Sequence, residues 1–580
     1  MASEPNVPGP TALDLPLKLW IARMAHGVSP ASLAQAQADW LVHLGVSPAK
    51  QAELAASAMR KVGTFLQAQS AAMLAAGAGV TPDAPKDKRF ARPGWEQLPF
   101  SAIAQAFGAA DQWWAEATRG VRGVSSHHED ITSFMARQWL DMLSPSNFLP
   151  TNPELLKETA RTAGGNLYSG AVNWWRDFLE VQRGGDARGL EDFRPGEAVA
   201  LTPGKVVMRN RLVELIQYEP ATPVVDKEPV LIIPSWIMKF YILDLTPQDS
   251  LVRYLVEQGH TVFIVSWRNP GSEDAALGLD DYLQHGVFEA LEAVQQALPG
   301  AQVHAMGYCL GGTLLAIAAA LMGARRQHHL RTLSLLAAQV DFEAPGELGL
   351  FIDESQIAFL EDVMAEHGYL DGRQMAGAFQ LINSKDLVWS KLVHEYLMGA
   401  HTPMTALRAW NADATRMPAR MHSEYLRRLY LNNDLAEGRY RAFGEVVNLH
   451  DIRTPMFLLA TERDHVSPWQ SVYKLLRLAS APATFVLCSG GHNVGIVNPP
   501  DGPAASAQAS YRVARFRPRA APADPQPAMQ VIPAEPGSWW PVWQQWLHKH
   551  SSGLVDAPMP AGLKVGGKPL EAPGEFVHQR

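Results

Sequence analysis

Hydrophobic periodicity divides the chain into two textures. From about Leu17 to about Gln182, apolar residues recur at spacings of three and four; Ile131, Phe134, Met135, Trp139 and Met142 form one such stripe, which predicts an amphipathic helix. This half reads as all-α. Trp113, Trp114, Trp139, Trp174 and Trp175 read as helix-packing area rather than a cofactor site, with a partner or polymer surface as the alternative. The stretch RGGDARGLEDFRPGE (Arg183–Glu197) then reads as a linker. Beyond it come short apolar runs of strand length. Lys205–Tyr218 is rich in β-formers and is followed by PVLIIPSWI (Pro229–Ile237), TVFIVSW (Thr261–Trp267), QVHAMGYC (Gln302–Cys309), TLSLLAAQV (Thr332–Val340), PMFLLA (Pro455–Ala460) and ATFVLCS (Ala483–Ser489). Helical patterns separate most of these runs, which predicts a mostly parallel α/β sheet with flanking helices.

Between Val340 and Pro455 no such run occurs. Roughly a hundred residues of mostly helical pattern are too long for a plain loop and predict a lid or cap. The Ala/Pro-rich stretch Pro503–Pro536 reads as an irregular excursion before the Trp-rich GSWWPVWQQWL segment. The expected organisation is an all-α N-terminal domain over 1–195 and an α/β catalytic domain over 196–580, with a helical cap inserted at about 345–450.

Composition narrows the function classes. A chain of 580 residues exceeds what a single core usually supports, and 47% hydrophobic against 19% charged residues describes a folded protein. The net charge of −8 provides no basic field for nucleic acid. Two cysteines, Cys309 and Cys488, are too few for a disulfide framework and fit a reducing compartment. The opening MASEPNVPGP lacks the basic head and apolar stretch of a signal peptide, so a cytoplasmic location is expected. The uncharged run Ala293–Ala324 is long enough to span a bilayer, but Pro299, Gly300, Gly307, Gly311 and Gly312 break it into strand, turn and helix. It reads as buried core, and no transmembrane segment is expected.

The chemistry concentrates in that broken run. QVHAMGY leads straight into GYCLGG and then the apolar TLLAIAAALM, a strand, sharp turn and helix with cysteine where a nucleophile elbow of the α/β-hydrolase fold carries serine. Gly307, Gly311 and Gly312 belong to the elbow. The first two leave room for the turn, and the helix N-terminus beneath Cys309 favours the thiolate. Glycine-flanked cysteines also occur as inert core residues, but two further residues argue for chemistry. Asp464 follows the run PMFLLA, and His492 lies in the glycine-rich loop after ATFVLCS, so the chain order is nucleophile, acid, histidine. His492 would take the Cys309 proton, and Asp464 would orient the imidazole or act as a base itself. The backbone N–H of Leu310 and that of Ile237, in the loop after PVLIIP, are the candidate oxyanion donors.

Other candidate groups read blandly. SHHED (Ser126–Asp130) is a solvated helix start, His328 and His329 lie in a basic surface loop, and no metal site is expected. Cys488 reads as a small buried hydrophobe, with an oxidative link to Cys309 as the alternative. Cysteine in place of serine also narrows the reaction. A thiolate attacking a CoA thioester forms another thioester, which keeps the acyl group activated for transfer to a hydroxyl.

These blocks resemble a known family. GYCLGG, ERDHVSPW (Glu462–Trp469) and GGHNVGIVNPP (Gly490–Pro500) are similar to the active-site blocks of polyhydroxyalkanoate synthases of the single-subunit, class I-like type. SNFLPTNPE (Ser146–Glu154), SWIMKFYILDL, SLVRYLVEQGHTVFIVSWRNP, WNADATRMP and GSWWPVWQQWL extend the likeness over about residues 100–550. The resemblance implies an acyltransferase that polymerises (R)-3-hydroxyacyl-CoA, with CoA as part of the substrate and a product, and with no cofactor. It implies that Cys309 carries the growing polyester chain, that His492 activates it, and that Asp464 assists the incoming 3-hydroxyl, directly or through His492. It further implies a homodimer at the surface of cytoplasmic polyester granules. The competing readings are a cysteine thioesterase or polyester hydrolase with the same triad, and a granule-binding protein with a dead site.

Overall fold

Successive residues of the central strands serve two different cores, which is why those strands read as unbroken apolar runs. In Val230–Ile233, Leu231 and Ile233 join one hydrophobic cluster while Val230 and Ile232 join the other. In Val262–Trp267, Phe263 and Val265 face the first cluster, Val262 and Ile264 the second. A two-residue period with both faces covered leaves no solvent-facing position.

The protein is described by a computed structural model covering residues 28–77, 87–182, 188–372, 374 and 388–580. Readings of the first 27 residues, of residues 183–187 in the linker and of residues 375–387 in the cap fall outside the described residues. Contacts divide the chain into two units, one built on Gly189–Ala376 and Met404–Arg580, the other on Val28–Arg188 and Gly377–Pro403.

The first unit holds a ten-stranded sheet. Its strands are β1 (Gly204–Arg209), β2 (Val213–Tyr218), β3 (Val230–Ile233), β4 (Val262–Trp267), β5 (Val303–Tyr308), β6 (Leu330–Leu336), β7 (Met456–Thr461), β8 (Ala483–Cys488), β9 (Ser510–Phe516) and β10 (Glu535–Pro536). They lie in the order β1-β2-β4-β3-β5-β6-β7-β8-β9-β10. Strands β4 through β8 along that order run parallel, whereas β1, β2, β9 and β10 add antiparallel edges. The β-rich run Lys205–Tyr218 is therefore a hairpin, turned at Asn210, whose Oδ1 accepts from the Leu212 and Val213 amides at 2.9 Å each. Strand β9 lies inside the stretch read as irregular. Its sequence SYRVARF interleaves Arg512 and Arg515 with apolar residues, and only Ala514 is fully buried. A half-covered strand gives a weaker signal than the runs at the centre.

On the first face lies the helix Leu310–Ala324, in which every residue from Leu310 to Met322 is buried. An α-helix that is apolar all round belongs in a core. On the second face lies the Trp-rich helix Trp540–His550, which buries Trp540, Trp543 and Leu547, with Trp539 buried at its cap. Between β6 and β7 the cap carries the helix Glu354–His367, short helical turns over Ala406–Ala412, Ala419–Glu424 and Tyr425–Leu431, and a two-residue strand pair, Tyr369–Leu370 with Met417–Pro418.

The second unit is helical: Pro30–Gly45, Pro48–Gly77, Phe100–Ala117, Ser126–Met142, Pro153–Arg161 and Gly165–Gln182. Trp40 and Trp113 donate their indole N–H groups to the Ala117 and Leu54 carbonyls at 3.0 Å each. The predicted stripe buries Ile131 and Phe134, and His128 Nδ1 meets Asp39 Oδ2 at 2.6 Å. The helix-packing reading fails for four of the five tryptophans: Trp114, Trp139, Trp174 and Trp175 remain 38%, 58%, 50% and 53% exposed. Helical spacing alone does not tell a packed face from an open one.

Candidate active site

The end of β5 turns into the helix Leu310–Ala324 through one residue, Cys309, at φ 52° and ψ −124°. A side chain held at positive φ is strained, and such strain persists only where the surroundings fix it. Here the Cys309 N–H donates to the Leu336 carbonyl at 2.9 Å, and its carbonyl accepts from Gly312 and Thr313 at 2.9 and 3.2 Å. The flanking glycines are required by close approach. A Cβ on Gly307 would lie 2.4 Å from Gly312 Cα, one on Gly312 would lie 2.4 Å from Ala338 Cβ, and one on Gly311 would lie 2.1 Å from the Ile233 carbonyl oxygen. Because the atoms facing Gly311 are backbone, Gly311→Ala must push the end of β3 away from the elbow. We expect it to cost about 1–3 kcal/mol in urea denaturation and to lower activity far more than stability, since it separates Leu310 from the β3 loop.

His492 and Asp464 follow β8 and β7, so both emerge at the sheet edge that presents Cys309. Their side chains meet, with His492 Nδ1 2.8 Å from Asp464 Oδ2. Asp464 is buried, and its other oxygen accepts from the Val466 and Ser467 amides at 2.9 and 2.8 Å, while Thr461 donates to Oδ2 at 3.3 Å. Burial pulls the His492 pKa down, but the Asp464 and Cys309 charges and side-chain hydrogen bonds to both outweigh it and hold the imidazole well above the usual histidine range. The three residues singled out in the sequence are thus brought together. Tyr308 stacks on the His492 ring with centroids 5.7 Å apart and donates to Asn493 Oδ1 at 2.7 Å.

Leu310 is the first residue of its helix, so its N–H is among those an α-helix leaves without an intrahelical acceptor. Ile237 is half-buried in the loop after β3. Its N–H reaches Ser235 Oγ only at 3.4 Å, and its carbonyl accepts from Thr415 at 2.9 Å. Cys488 is a buried strand residue, free of any disulfide, with its thiol on the Ala460 and Gly495 carbonyls; burial pushes its pKa up.

Several supporting residues were not read as such from the sequence. The WNADATRMP motif braces the β3 loop: Trp410 Nε1 donates to the Lys239 carbonyl at 2.7 Å, and the Thr415 hydroxyl to the Trp236 carbonyl. Trp539 and Trp540 donate to carbonyls of the histidine loop, at Gly495 (3.1 Å) and Ile496 (3.2 and 2.9 Å). Both motifs stood out in the sequence, but their hydrogen-bond acceptors lie on distant segments. Among the described residues no helix is long and apolar enough to cross a membrane.

A cysteine elbow with aspartate and histidine in the loops after β7 and β8, on a sheet of this order, defines an α/β-hydrolase-fold protein, and residues 228–499 match the alpha/beta hydrolase fold family. Residues 86–255 match the Poly-beta-hydroxybutyrate polymerase (PhaC) N-terminus, and residues 9–50 the Poly-beta-hydroxybutyrate polymerase N terminal family. The chain is 39% identical over 548 residues to a poly(3-hydroxyalkanoate) polymerase of Methylorubrum extorquens, covering 92% of this chain and 88% of that one. It is 38% identical over 504 residues to the polymerase subunit PhaC of Rhizobium etli, covering 86% and 78%. Against the polymerase subunit PhaC of Cupriavidus necator the identity is 33% over 548 residues, covering 93% and 90%. The chain belongs to the poly(3-hydroxyalkanoate) polymerase family and is an acyltransferase.

Proposed function

We propose that the enzyme converts (R)-3-hydroxyacyl-CoA into polyhydroxyalkanoate with release of CoA, through an acyl thioester on Cys309. The observation that carries this reading is the strained elbow that holds Cys309 beside a His492 backed by the buried Asp464. His492 accepts the thiol proton, and the thiolate sulfur attacks the thioester carbonyl. The oxyanion is met by the Leu310 and Ile237 N–H groups, and CoA leaves as the thiol with the proton that His492 returns. A 3-hydroxyl, losing its proton to His492, then attacks the Cys309 thioester. An ester forms, the C–S bond breaks, and the proton returns to sulfur. The sequence is balanced with no cofactor beyond the CoA carried by the substrate.

The same reading sets the enzyme in the cytoplasm at the polyester surface, as a homodimer. Support for contact with an apolar polymer comes from the helical unit, where Trp174 and Trp175 each lie against Phe178 with centroids 5.5 and 5.6 Å apart while all three rings stay at least 40% exposed.

The test is a mass balance on purified enzyme with 3-hydroxybutyryl-CoA. CoA should be released together with insoluble polyester and little free 3-hydroxy acid. Free acid equal to CoA from the first turnovers would make the enzyme a thioesterase.

A further inference from the structure

The loop after β3 leaves the sheet beside the elbow. Ile233 pairs with Gly307 across the parallel β3–β5 ladder, so the residues that follow each of them emerge at the same edge as neighbours. The approach is close, since a Cβ on Gly311 would lie 2.1 Å from the Ile233 carbonyl oxygen and 2.5 Å from that of Pro234. Trp236 and Leu310 share one hydrophobic cluster, and Ile237 and Cys309 both pack against it. Donors on other segments hold the carbonyls of this loop. Pro234 accepts from Trp267 Nε1 at 2.9 Å, and Lys239 accepts from Trp410 Nε1 at 2.7 Å. Trp236 and Ile237 are both held by one buried residue, Thr415. Its hydroxyl donates to the Trp236 carbonyl, and its backbone N–H donates to the Ile237 carbonyl at 2.9 Å. Next to it, Ala414 forms an antiparallel bridge with Met238.

The Trp236 carbonyl and the Ile237 N–H belong to one peptide plane, and in a trans peptide they point in opposite directions. Whatever fixes the carbonyl therefore aims the N–H. A carbonyl oxygen only accepts, so the Thr415 hydroxyl is the donor of this bond. Turning the plane over would leave a buried carbonyl and a buried hydroxyl unpaired. The second bond, from the Thr415 N–H, fixes the following peptide, so the Ile237 N–H is clamped from both sides. That N–H itself reaches Ser235 Oγ at 3.4 Å, a long contact that a better acceptor displaces. We infer that Thr415 is a positioning residue for acyl transfer, holding the Trp236–Ile237 peptide with its N–H turned to the oxyanion that forms at Cys309. Thr415 lies between β6 and β7, in the cap, whereas Leu310 belongs to the elbow. One oxyanion donor is thus set by the nucleophile's own helix and the other by the cap.

The inference rests on the acyl-Cys309 reading with Ile237 as an oxyanion donor, and the experiment separates the two. Thr415→Val keeps the shape and the backbone N–H but removes the hydroxyl; Thr415→Ser keeps the hydroxyl. Quenched-flow intact-protein mass spectrometry would follow loading of Cys309 from 3-hydroxybutyryl-CoA, with each rate normalised to the fraction of enzyme that loads. Deleting an oxyanion donor outright costs about 10² to 10³-fold, so misaiming one in Thr415→Val should slow loading at least about tenfold. The loss should fall on the maximal rate rather than on the half-saturating concentration, because the donor meets charge present only in the transition state. Thr415→Ser should keep most of the rate. Infrared difference spectra with substoichiometric, carbonyl-labelled substrate give a second readout. The acyl-Cys309 carbonyl band of the wild type should lie at lower frequency than that of the acid-quenched adduct, and the displacement should shrink in Thr415→Val and persist in Thr415→Ser. A wild-type band that is not displaced overturns the inference even if Thr415→Val does not fold. So does a Thr415→Val that loads like the wild type, or a Thr415→Ser that loses as much as Thr415→Val. No adduct on the wild type overturns the acyl-cysteine reading itself, and this inference with it.

Discussion

Cys309→Ala is expected to release no CoA and to carry no acyl adduct, while unfolding at the same urea concentration as the parent. Removing a nucleophile that acts in concert with its base costs about 10⁶-fold in rate. Stability should hold because alanine keeps the Cβ, and the backbone strain at φ 52° is that of any L-residue. Cys309→Gly removes that strain and should be equally inactive yet more stable, by about 1 kcal/mol. This opposition of stability and activity separates a functional elbow from an accident of packing. Cys488→Ala is the control. Its thiol meets the Ala460 and Gly495 carbonyls inside a buried apolar cluster, so the variant should lose about 1 kcal/mol and keep most of its turnover. Full CoA release by Cys309→Ala would remove the covalent mechanism altogether.

The sequence carried the elbow because its glycines answer to steric demands that leave few alternatives. Gly307, Gly311 and Gly312 each sit where a Cβ would strike a neighbour, and strand, turn and helix must be contiguous for the turn to work. Asp464 and His492 could be located because both follow continuous apolar strands, the strongest local signal in the chain. Strand β9 gives a weak signal because a half-covered strand near the sheet's edge keeps its arginines, and the exposure of Trp114, Trp139, Trp174 and Trp175 is not legible because a helical period does not say what lies opposite.

Asp464→Asn is expected to lose loading and elongation together, by about 10³ to 10⁴-fold. All four lone-pair positions of the carboxylate are engaged. Oδ1 receives the Val466 and Ser467 amides, and Oδ2 receives Thr461 and faces His492 Nδ1. To take a proton from an incoming hydroxyl, Asp464 would have to release one of these partners, so the geometry favours action through His492. In the asparagine variant, the two backbone N–H groups select the amide oxygen, which turns its NH₂ toward Nδ1. Two donors cannot face each other, so the imidazole shifts its proton to Nε2 and loses the lone pair that would accept from Cys309. Loss of the carboxylate also removes an attraction that raises the His492 pKa and leaves burial to pull it down. NMR titration of labelled histidine should therefore show the His492 midpoint falling, and quenched-flow mass spectrometry should find negligible adduct on Cys309. If Asp464→Asn instead loads a full equivalent of acyl group and then stalls, the carboxylate acts directly on the incoming hydroxyl, and the relay through His492 is wrong.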